Sequence, residues 1–409
     1  MIKKNCRMCK STNLEKFLDL GFLPLVDNFL AKEQLNQPET RYPLNVNICS
    51  DCGLFQLGYV VSPELMFNEN YPYESSMTKT GRKHFISMAT EICKEFDISP
   101  NSLAIDVGSN VGVLLSGFKS QGLRVLGIEP SSSVAKIAIK NGIDTVIEFF
   151  SSELALRIKE RRGTASIIAG TNVFAHIDNL DDFVKAADIL LNEEGIIVIE
   201  APYLPDLLNN LEYDTIYHEH LSYLSLKPMV KFFKRFGMEV FNVEMQRIHG
   251  GSVRYFVGHE GKRPISDKTS ECLHSEEKQE VYSANRLKKF AKDVENHRRN
   301  LTNLLLDLKK QRKKIVGISS PAKGNMLLNY CRIGPEILDY VTEKSSLKIG
   351  KYTPGMHIPI YPDSILLKDK PDYALILAWN FADEIIQNND EYRKMGGKFI
   401  VPIPHPYIV

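Results

Sequence analysis

Short apolar runs alternate with segments of helical periodicity in the middle of the chain. Residues 103–107 and 124–128 are apolar runs of strand length, and each precedes a segment whose apolar positions recur at helical spacing. The second of these helices is expected to open at Ser131-Ser132-Ser133 and to close at Asn141-Gly142. Buried strands that alternate with helices predict a parallel sheet with helices on both faces.

The same alternation continues and then changes. Residues 167–170 and 195–200 predict two more buried strands, with a helix between them. The runs 238–247 and 252–258, which flank His249-Gly250-Gly251, predict an antiparallel hairpin. A parallel sheet that ends in an antiparallel pair indicates a Rossmann-like α/β core.

Three domains are expected from these patterns. They are a cysteine-containing region over 1–75, the Rossmann-like core over 76–275, and a carboxyl-terminal region over 276–409 that begins with one long charged helix over 276–313. The last region has a second, smaller α/β pattern, with strands at 315–318, 338–342, 373–378 and 398–402. We find no strand-end acid there that would mark a second nucleoside site. The stretch 202–224 is expected to be irregular.

Composition narrows the class of protein. The 409 residues include 51 basic and 50 acidic side chains, which gives a net charge of +1. This balance argues against a general nucleic-acid binder. The chain has no apolar window of about 20 residues, and its first residues contain no apolar signal core. We therefore expect a cytoplasmic protein without membrane contact, and a monomer, because three domains can bury their own cores.

Four of the seven cysteines form two short motifs. Cys6 and Cys9 form one C-x-x-C motif, and Cys49 and Cys52 form another. Two such motifs can place four thiolates around one Zn²⁺ in a closed tetrahedral site. Disulfides and redox catalysis are the alternatives, but we expect an intracellular protein, and neither pair opens a clear strand–helix unit. The spacing predicts a structural zinc site without an open position for catalysis.

One strand-to-helix turn has the features of a nucleoside site. The run IDVGSNVG places Asp106 at the end of a strand and Gly108, Asn110 and Gly112 on the turn. The next strand ends in Glu129-Pro130, where an acid can hold ribose hydroxyls. The turn lacks the G-x-G-x-x-G spelling that lets a backbone approach a pyrophosphate. A cofactor without phosphate, such as S-adenosylmethionine, fits better. The alternative is a turn without a ligand.

The densest group of reactive side chains is Tyr217-His218-Glu219-His220. A histidine can remove a proton at neutral pH, a neighbouring carboxylate can orient it, and a tyrosine hydroxyl can donate to a developing oxyanion. Three alternatives stay open. The run could be a histidine-rich surface turn, a metal site that uses His218 and His220, or a segment whose histidines only bind substrate.

Other candidate ligand residues stand in loops after predicted strands and turns. Asn172 and His176 follow a strand, the usual place for contacts with the edge of the cofactor, and are expected to bind it. The others are His249, Lys323, Lys351 and Tyr352. Lys323 lies at a strand–helix junction, where it could meet a phosphate. Helix caps, core packing, a hairpin turn and solvated lysines are the ordinary alternatives for these residues.

In order and over nearly the whole chain, these motifs resemble those of the S-adenosylmethionine-dependent nucleotide-sugar C-methyltransferases, which make branched deoxysugars. Besides the two C-x-x-C motifs, the matching runs are IDVGSNVG, IEPSS, NVFAHIDNL, IYHEHLSYLS, HGGSVR, PAKGNMLLNYC, PGMHIPI and AWNF. The runs IYHEHLSYLS, HGGSVR and PAKGNMLLNYC are the most specific of these. The resemblance implies an amino-terminal zinc-binding domain, a Rossmann-like methyltransferase core and a carboxyl-terminal α/β domain that binds the nucleotide sugar.

The resemblance also implies a reaction. The substrate would be a 4-keto-6-deoxy sugar carried on thymidine or guanosine diphosphate, methylated at carbon 3 through an enolate. The catalytic residues would be His220 as base, Glu219 as its partner or a substrate ligand, Tyr217 as donor near the keto oxygen, and Tyr71 or Tyr73 closing over the site. The substrate would be bound by His218, His249, Lys323, Lys351 and Tyr352.

Three rival functions are weighed against this expectation. An NAD-dependent nucleotide-sugar oxidoreductase or epimerase shares the strand-end acid, but it needs G-x-G-x-x-G and a Tyr-x-x-x-Lys pair, and neither stands at a suitable place. A sugar O-methyltransferase would use the same base on a hydroxyl. A zinc-ribbon protein that binds nucleic acid would need a basic stripe, which the sequence lacks.

Overall fold

The computed structural model describes residues 1–67, 79–248 and 250–409, which form three β-sheets. The sheets have four, seven and six strands, and each is built mainly from one of three successive regions of the chain. The architecture is mixed α/β, as predicted. Of the helices described, none is both long enough and apolar enough to cross a membrane.

The amino-terminal sheet is antiparallel. Its first three strands are β1 (Leu14–Leu23), β2 (Tyr42–Cys49) and β3 (Phe55–Leu57), and a short helix α1 (Pro63–Met66) follows them. The fourth strand, Ser222–Tyr223, comes from far along the chain and pairs with β3. This pairing ties the segment that carries the Tyr-His-Glu-His run to the amino-terminal region.

The central sheet has the topology that the sequence pattern predicts. The strands of this part of the chain are β4 (Leu103–Val107), β5 (Arg124–Ile128), β6 (Thr145–Val146), β7 (Ala165–Thr171), β8 (Leu191–Pro202), β9 (Ser222–Tyr223), β10 (Met238–Gln246) and β11 (Ser252–His259). Seven of them lie in the order β10-β11-β8-β7-β4-β5-β6, while β9 completes the amino-terminal sheet. All seven run parallel except β11, which is antiparallel to both of its neighbours.

Helices cover both faces of the central sheet. They are α2 (Lys79–Glu95), α3 (Val113–Ser120), α4 (Ser132–Lys140), α5 (Ser152–Arg162), α6 (Leu180–Leu190) and α8 (Leu226–Lys234). The short helix α7 (Leu204–Asn209) instead packs its leucines into the core that the amino- and carboxyl-terminal regions share. Ile105 and Ile168 pack with α5, α6 and α8, whereas Ala104 and Ile167 pack with α2, α3 and α4. Successive strand residues point to opposite faces, so a continuous apolar run fills two cores at once.

The carboxyl-terminal region forms the third sheet. Two helices lead into it, α9 (Asp267–Lys278) and α10 (Ala284–Lys310). The remaining elements are β12 (Ile315–Ile318), α11 (Ala322–Cys331), β13 (Val341–Glu343), β14 (Ile360–Pro362), α12 (Ile365–Asp369), β15 (Tyr373–Ile376), α13 (Ala382–Asn388), α14 (Asp390–Lys394), β16 (Lys398–Val401) and β17 (Tyr407–Ile408). The strand order is β14-β13-β12-β15-β16-β17, and only β17 is antiparallel to its neighbour.

Short 3₁₀ helices complete the described elements. They are Lys32–Gln34, Phe174–His176, Tyr213–Thr215 and Trp379–Phe381. Two of them, Phe174–His176 and Tyr213–Thr215, lie beside the reactive residues described below. The stretch 202–224 was expected to be irregular, but it contains α7, one of these 3₁₀ helices and β9.

The long helix expected over 276–313 is interrupted. The chain turns between α9 and α10, where Glu280 has a φ of +51° and Val281 is fully buried. The turn brings the Tyr282 hydroxyl back to donate to the Glu276 carboxylate at 2.6 Å. A continuous helix would lose this buried contact, which explains why the periodic pattern does not form one helix.

Candidate active site and zinc site

The four paired cysteines lie together. Their sulfur atoms are all within 4.8 Å of one another, with Cys6–Cys52 and Cys9–Cys49 separations of 3.5 Å. A tetrahedral zinc site with Zn–S bonds of about 2.3 Å needs sulfur separations of roughly 3.8 Å. All four cysteines are free thiols. The donor set therefore fits one zinc ion with no position left open.

The two halves of this cysteine site are built alike. The residue after each motif has a left-handed backbone, with φ of +66° at Lys10 and +87° at Gly53. In each case its N–H donates to the carbonyl of the first cysteine, Lys10 to Cys6 at 3.1 Å and Gly53 to Cys49 at 2.8 Å. Tight turns of this kind bring both sulfur atoms of a C-x-x-C motif to the same side.

The turn after β4 forms a cradle with the end of β5. Glu129 accepts hydrogen bonds from the backbone N–H groups of Asn110 and Ser131, both at 2.9 Å, so Glu129-Pro130 is fixed against the turn. Gly108 has a φ of +69°, and a Cβ atom built there would lie 2.8 Å from a methyl group of Val173. Only glycine fits this close approach.

Asp106 supplies an unpaired acceptor to the cradle. Its Oδ1 atom is buried and has no hydrogen-bond partner among the residues that the structure describes. Burial, and then the charge of Glu129, raises the pKa of Asp106 well above its ordinary value. Gly112, with φ +80°, precedes the first residue of α3. A buried, unsatisfied acid beside a second acid fits a ligand that brings its own hydrogen-bond donors, as the hydroxyl and amino groups of S-adenosylmethionine would.

The second α/β unit has a comparable turn, contrary to expectation. Glu343 ends β13 beside β12, and its Oε2 atom accepts the Ser320 N–H at 3.0 Å. Its Oε1 atom accepts the N–H groups of Lys344 and Ser345, at 2.7 and 3.2 Å. A strand-end acid therefore braces the turn after β12 as Glu129 braces the turn after β4. Glu343 directly follows the strand predicted at 338–342, so this strand-end acid stood in the sequence and was overlooked.

Asn172 and His176 follow β7, as expected. The N–H of Asn172 donates to the Glu200 carbonyl at 2.7 Å, and Asn172 has a φ of +56°. The His176 Nε2 atom is buried without a hydrogen-bond partner in the described part of the chain. Burial, and then the neighbouring His220, lowers the pKa of His176 well below its ordinary value.

Four aromatic rings form a column at this edge of the sheet, which we call the ring column: Phe67, His176, His220 and Tyr217. Phe67 stacks on His176 with centroids 5.7 Å apart, and His176 stacks on His220 at 5.0 Å. Tyr217 lies 4.1 Å from His220 on a tilted plane. The structure thus brings together three candidates from two separate motifs.

The protonation of His220 follows from its contacts. Nδ1 lies 2.7 Å from the Thr215 carbonyl oxygen. Because a carbonyl can only accept, Nδ1 carries the hydrogen and Nε2 keeps the lone pair. Burial lowers the pKa of His220, the hydrogen bond to Thr215 opposes this effect, and the charge of Lys323 adds to it, so that the pKa is about 4. At neutral pH the ring is therefore an uncharged base with a fixed tautomer.

The other two members of the run lie in different surroundings. His218 is 1% exposed, and its Nε2 atom lies 3.3 Å from the Tyr42 carbonyl oxygen of β2. Glu219 is buried and hydrogen-bonds to Asp27 of the amino-terminal region. Only the four cysteines form a group of three or more metal-binding side chains within the described residues, so His218 and His220 belong to no such group.

Lys323 lies near His220, and two acids accompany it that sequence reasoning missed. Its Nζ atom is 4.7 Å from the centre of the Trp379 ring. The Trp379 indole N–H donates to Asp214 at 2.5 Å. Burial raises the pKa of Asp214 to about 6 and that of Glu212 to about 7. Both acids stand just before the Tyr-His-Glu-His run, but nothing in their local pattern distinguishes them from surface acids.

The remaining candidates lie elsewhere. Tyr352 pairs through its backbone with Leu30, with N–H to carbonyl distances of 2.9 and 3.0 Å, and Lys351 precedes it, half-buried. These two residues therefore sit where the third region meets the amino-terminal region. Tyr71, Tyr73 and His249 lie outside the described residues.

Comparison with known families agrees with the three regions. The zinc binding domain model matches residues 6–67, the methyltransferase domain model matches residues 87–243, and the C-methyltransferase C-terminal domain model matches residues 247–404. The three matches follow one another along the chain and together cover most of it.

Two known sequences and one solved structure illustrate what this chain is similar to. The C-methyltransferase NovU of Streptomyces niveus is 32% identical over 405 residues, which cover 99% of this chain and 96% of NovU. An uncharacterized methyltransferase of Alkaliphilus oremlandii (strain OhILAs) is 29% identical over 31% of this chain and 61% of its own length. The structure of an S-adenosylmethionine-dependent methyltransferase from Clostridium acetobutylicum ATCC 824 aligns at 11% identity and a TM-score of 0.36, over 44% of this chain and 92% of that one. The full-length similarity to NovU and the three matching family models place this protein in the family of S-adenosylmethionine-dependent C-methyltransferases, and the four clustered cysteines agree with the zinc-binding domain of that family.

Proposed function

We propose that this enzyme methylates carbon 3 of a nucleotide-linked 4-keto-6-deoxy sugar, with His220 as the base. The observation that supports the proposal is the state of the His220 ring. Its Nδ1 hydrogen is held by the Thr215 carbonyl at 2.7 Å, so Nε2 can accept a proton. Burial keeps the ring uncharged at neutral pH. A hydrogen on carbon next to a ketone is the kind of weak acid that a positioned imidazole can remove.

The chemistry then follows from this base. Proton removal turns the ketone and its neighbouring carbon into an enolate, whose carbon is a nucleophile. S-adenosylmethionine, when bound, supplies an electrophilic methyl group. His176 and Tyr217 flank the base in the ring column, and Tyr217 would donate to the keto oxygen. Lys351 and Tyr352 would contact the diphosphate.

The substrate is tested with methyl-labelled S-adenosylmethionine and two 4-keto-6-deoxyhexoses, one carried on thymidine diphosphate and one on guanosine diphosphate. We expect NMR to locate the label on carbon 3 of one of them. A label on oxygen would contradict the carbon-acid role of His220. Absence of transfer to either sugar, with cofactor binding intact, would contradict the proposed substrate.

The base is tested by His220→Asn. An asparagine amide can still donate to the Thr215 carbonyl, so we expect the fold and the affinity for S-adenosylmethionine to be nearly unchanged. Turnover should fall by at least about 100-fold, the usual contribution of a general base. The matched control is His259→Asn, because His259 pairs with Asp188 at the surface and should leave turnover unchanged. A near-wild-type rate for His220→Asn would contradict the assignment.

A further inference from the structure

Lys323 is a buried cation without a hydrogen-bond partner. It lies in the first turn of α11, and its Nζ atom is shielded from solvent and bonds to none of the described residues. An ammonium group has three donors, and burying them unpaired is costly. Structural lysines avoid this cost through a carboxylate or carbonyl partner, as Lys348 does by donating to the Ser320 carbonyl at 2.9 Å. The unpaired state of Lys323 therefore suggests that a ligand supplies its partner.

Two acids near Lys323 oppose the effect of burial on its ammonium group, and neither accepts a hydrogen bond from it. Burial lowers the pKa of Lys323, and the charges of Asp214 and Glu212 oppose that effect. Asp214 is held by the Trp379 indole at 2.5 Å, and the same indole ring lies 4.7 Å from Nζ. The acids stabilise the ammonium from a distance, and its donors stay available.

The residues around Lys323 also contact the segment that holds His220, the proposed base. Asp214 precedes Thr215, whose carbonyl fixes the Nδ1 hydrogen of His220 at 2.7 Å. The charge of Lys323 is felt by the His220 ring, where it lowers the pKa. The unpaired ammonium of the carboxyl-terminal region and the imidazole of the central region thus belong to one site.

We propose that Lys323 Nζ hydrogen-bonds the carbonyl oxygen next to the carbon that His220 deprotonates, and stabilises the negative charge on that oxygen in the enolate. This inference rests on the proposed function and adds a catalytic residue to it. It differs from the sequence-based expectation that Lys323 binds the diphosphate of the substrate. A diphosphate would bring several negative charges next to two acids, whereas the enolate brings one negative charge that develops beside the ammonium during the reaction.

In the proposed reaction His220 removes the proton and Lys323 stabilises the charge on oxygen. As Nε2 of His220 takes the proton, the C–H bonding pair forms a double bond to the carbonyl carbon, and the carbonyl π pair moves onto oxygen beside the ammonium. When the pair on oxygen returns, the double-bond pair forms the new bond to the methyl carbon, and the C–S bonding pair leaves with sulfur. Lys323 keeps its proton throughout, and the imidazolium releases its proton to solvent.

The test measures proton removal apart from methyl transfer. The keto sugar is incubated in D₂O with S-adenosylhomocysteine in place of the methyl donor, and loss of the carbon 3 proton signal is followed by NMR. We expect Lys323→Met to slow this exchange by at least about 100-fold, as loss of one oxyanion donor does. Its affinity for thymidine or guanosine diphosphate, whichever the wild type binds more tightly, should change by less than about twofold. Lys394→Met serves as the matched lysine control, because Lys394 pairs with Asp390 at the surface of the same region. It should leave exchange at the wild-type rate.

The outcomes separate the hypotheses. Wild-type exchange together with unchanged exchange in Lys323→Met would overturn the role of Lys323 alone. Unchanged exchange with a tenfold loss of diphosphate affinity would assign Lys323 to the diphosphate. Absence of exchange in the wild type would overturn the proposed function, and this inference with it. Should Lys323→Met fail to fold, Lys323→Gln keeps a neutral donor and should exchange faster than Lys323→Ala but more slowly than the wild type. Equal rates in all three proteins would overturn the inference.

Discussion

The ion pair between Glu200 and Arg254 should be one of the most sensitive contacts of the central sheet. The two residues face each other on β8 and β11, and each side chain is 1% exposed. Arg254 Nε donates to one carboxylate oxygen at 3.0 Å, and His84 binds the other at 2.5 Å. Burial favours the neutral acid, but the hydrogen bond to His84 and the charge of Arg254 outweigh it, so the pKa of Glu200 lies below its ordinary value.

Replacing Arg254 with methionine leaves a buried carboxylate with one partner fewer. Loss of one member of a buried pair typically costs 3–5 kcal/mol, about as much as a large cavity in a core. For a chain of this length that unfolds as one unit, this corresponds to a fall of about 4–6 °C in Tm. The matched control is Arg157→Met, which breaks the Arg157–Glu148 pair with side chains 44% and 45% exposed. That change should cost less than about 1 kcal/mol.

The loss of stability in Arg254→Met should depend on pH. In Arg254→Met, the charge of Arg254 no longer opposes the effect of burial on Glu200. The folded-state pKa of Glu200 should therefore rise above the ordinary 4.5. The penalty is then complete above the new pKa and disappears as the pH falls toward 4.5, because the acid becomes neutral. Scanning calorimetry at about pH 7.5 and 5.5 should therefore find a smaller deficit at the lower pH. A deficit no larger than that of Arg157→Met, or one independent of pH, would refute this reasoning.

Three further predictions concern the cofactor turn, the metal and the base. Gly108→Ala should weaken binding of S-adenosylmethionine at least tenfold by calorimetry, because its Cβ atom would lie 2.8 Å from a methyl group of Val173. The control Gly163→Ala, with φ +82° and no atom within 4 Å, should leave the affinity within about twofold. Equal affinities of the two variants would contradict the role of Gly108 in the turn. Cys49→Ser should lose bound zinc in elemental analysis, whereas Cys93→Ser, outside the cluster, should retain it. Because the pKa of His220 is about 4, kcat/KM should stay level as the pH falls to about 5 and decline only below it; a decline centred near 6.5 would indicate a solvated histidine instead.

The sequence predicted the central sheet well because its signals are local. The strands at 103–107 and 124–128 were placed by continuous apolar runs, and both are observed with those bounds. The closing hairpin followed from two apolar runs around Gly250-Gly251. In each case the residues that determine the strand or hairpin lie within it, so periodicity and turn residues are sufficient to predict it.

The features that the sequence did not predict depend on contacts between distant parts of the chain. The strand β9 has two residues and exists only because β3 is present to pair with it. The bond between Trp379 and Asp214 joins positions 165 residues apart. His218 and His220 would share a face in an extended strand, but the His220 N–H donates to the Tyr217 carbonyl at 3.0 Å in a turn. Their side chains therefore enter different surroundings, and only the tertiary structure determines which of them can act as a base.

One sheet connects the zinc site to His220, the proposed base. Zinc should therefore affect catalysis although its site has no open coordination position. Gln56 of β3 accepts the backbone N–H of Arg7, inside the first C-x-x-C motif, at 2.8 Å. The same Gln56 pairs with Ser222 of β9, two residues after His220. Loss of zinc would release the turn that holds Arg7, loosen β3 and free the segment that positions His220. Cys49→Ser should therefore lower turnover more than it weakens cofactor binding, since the cradle around Glu129 lies on β4 and β5 and does not depend on this sheet.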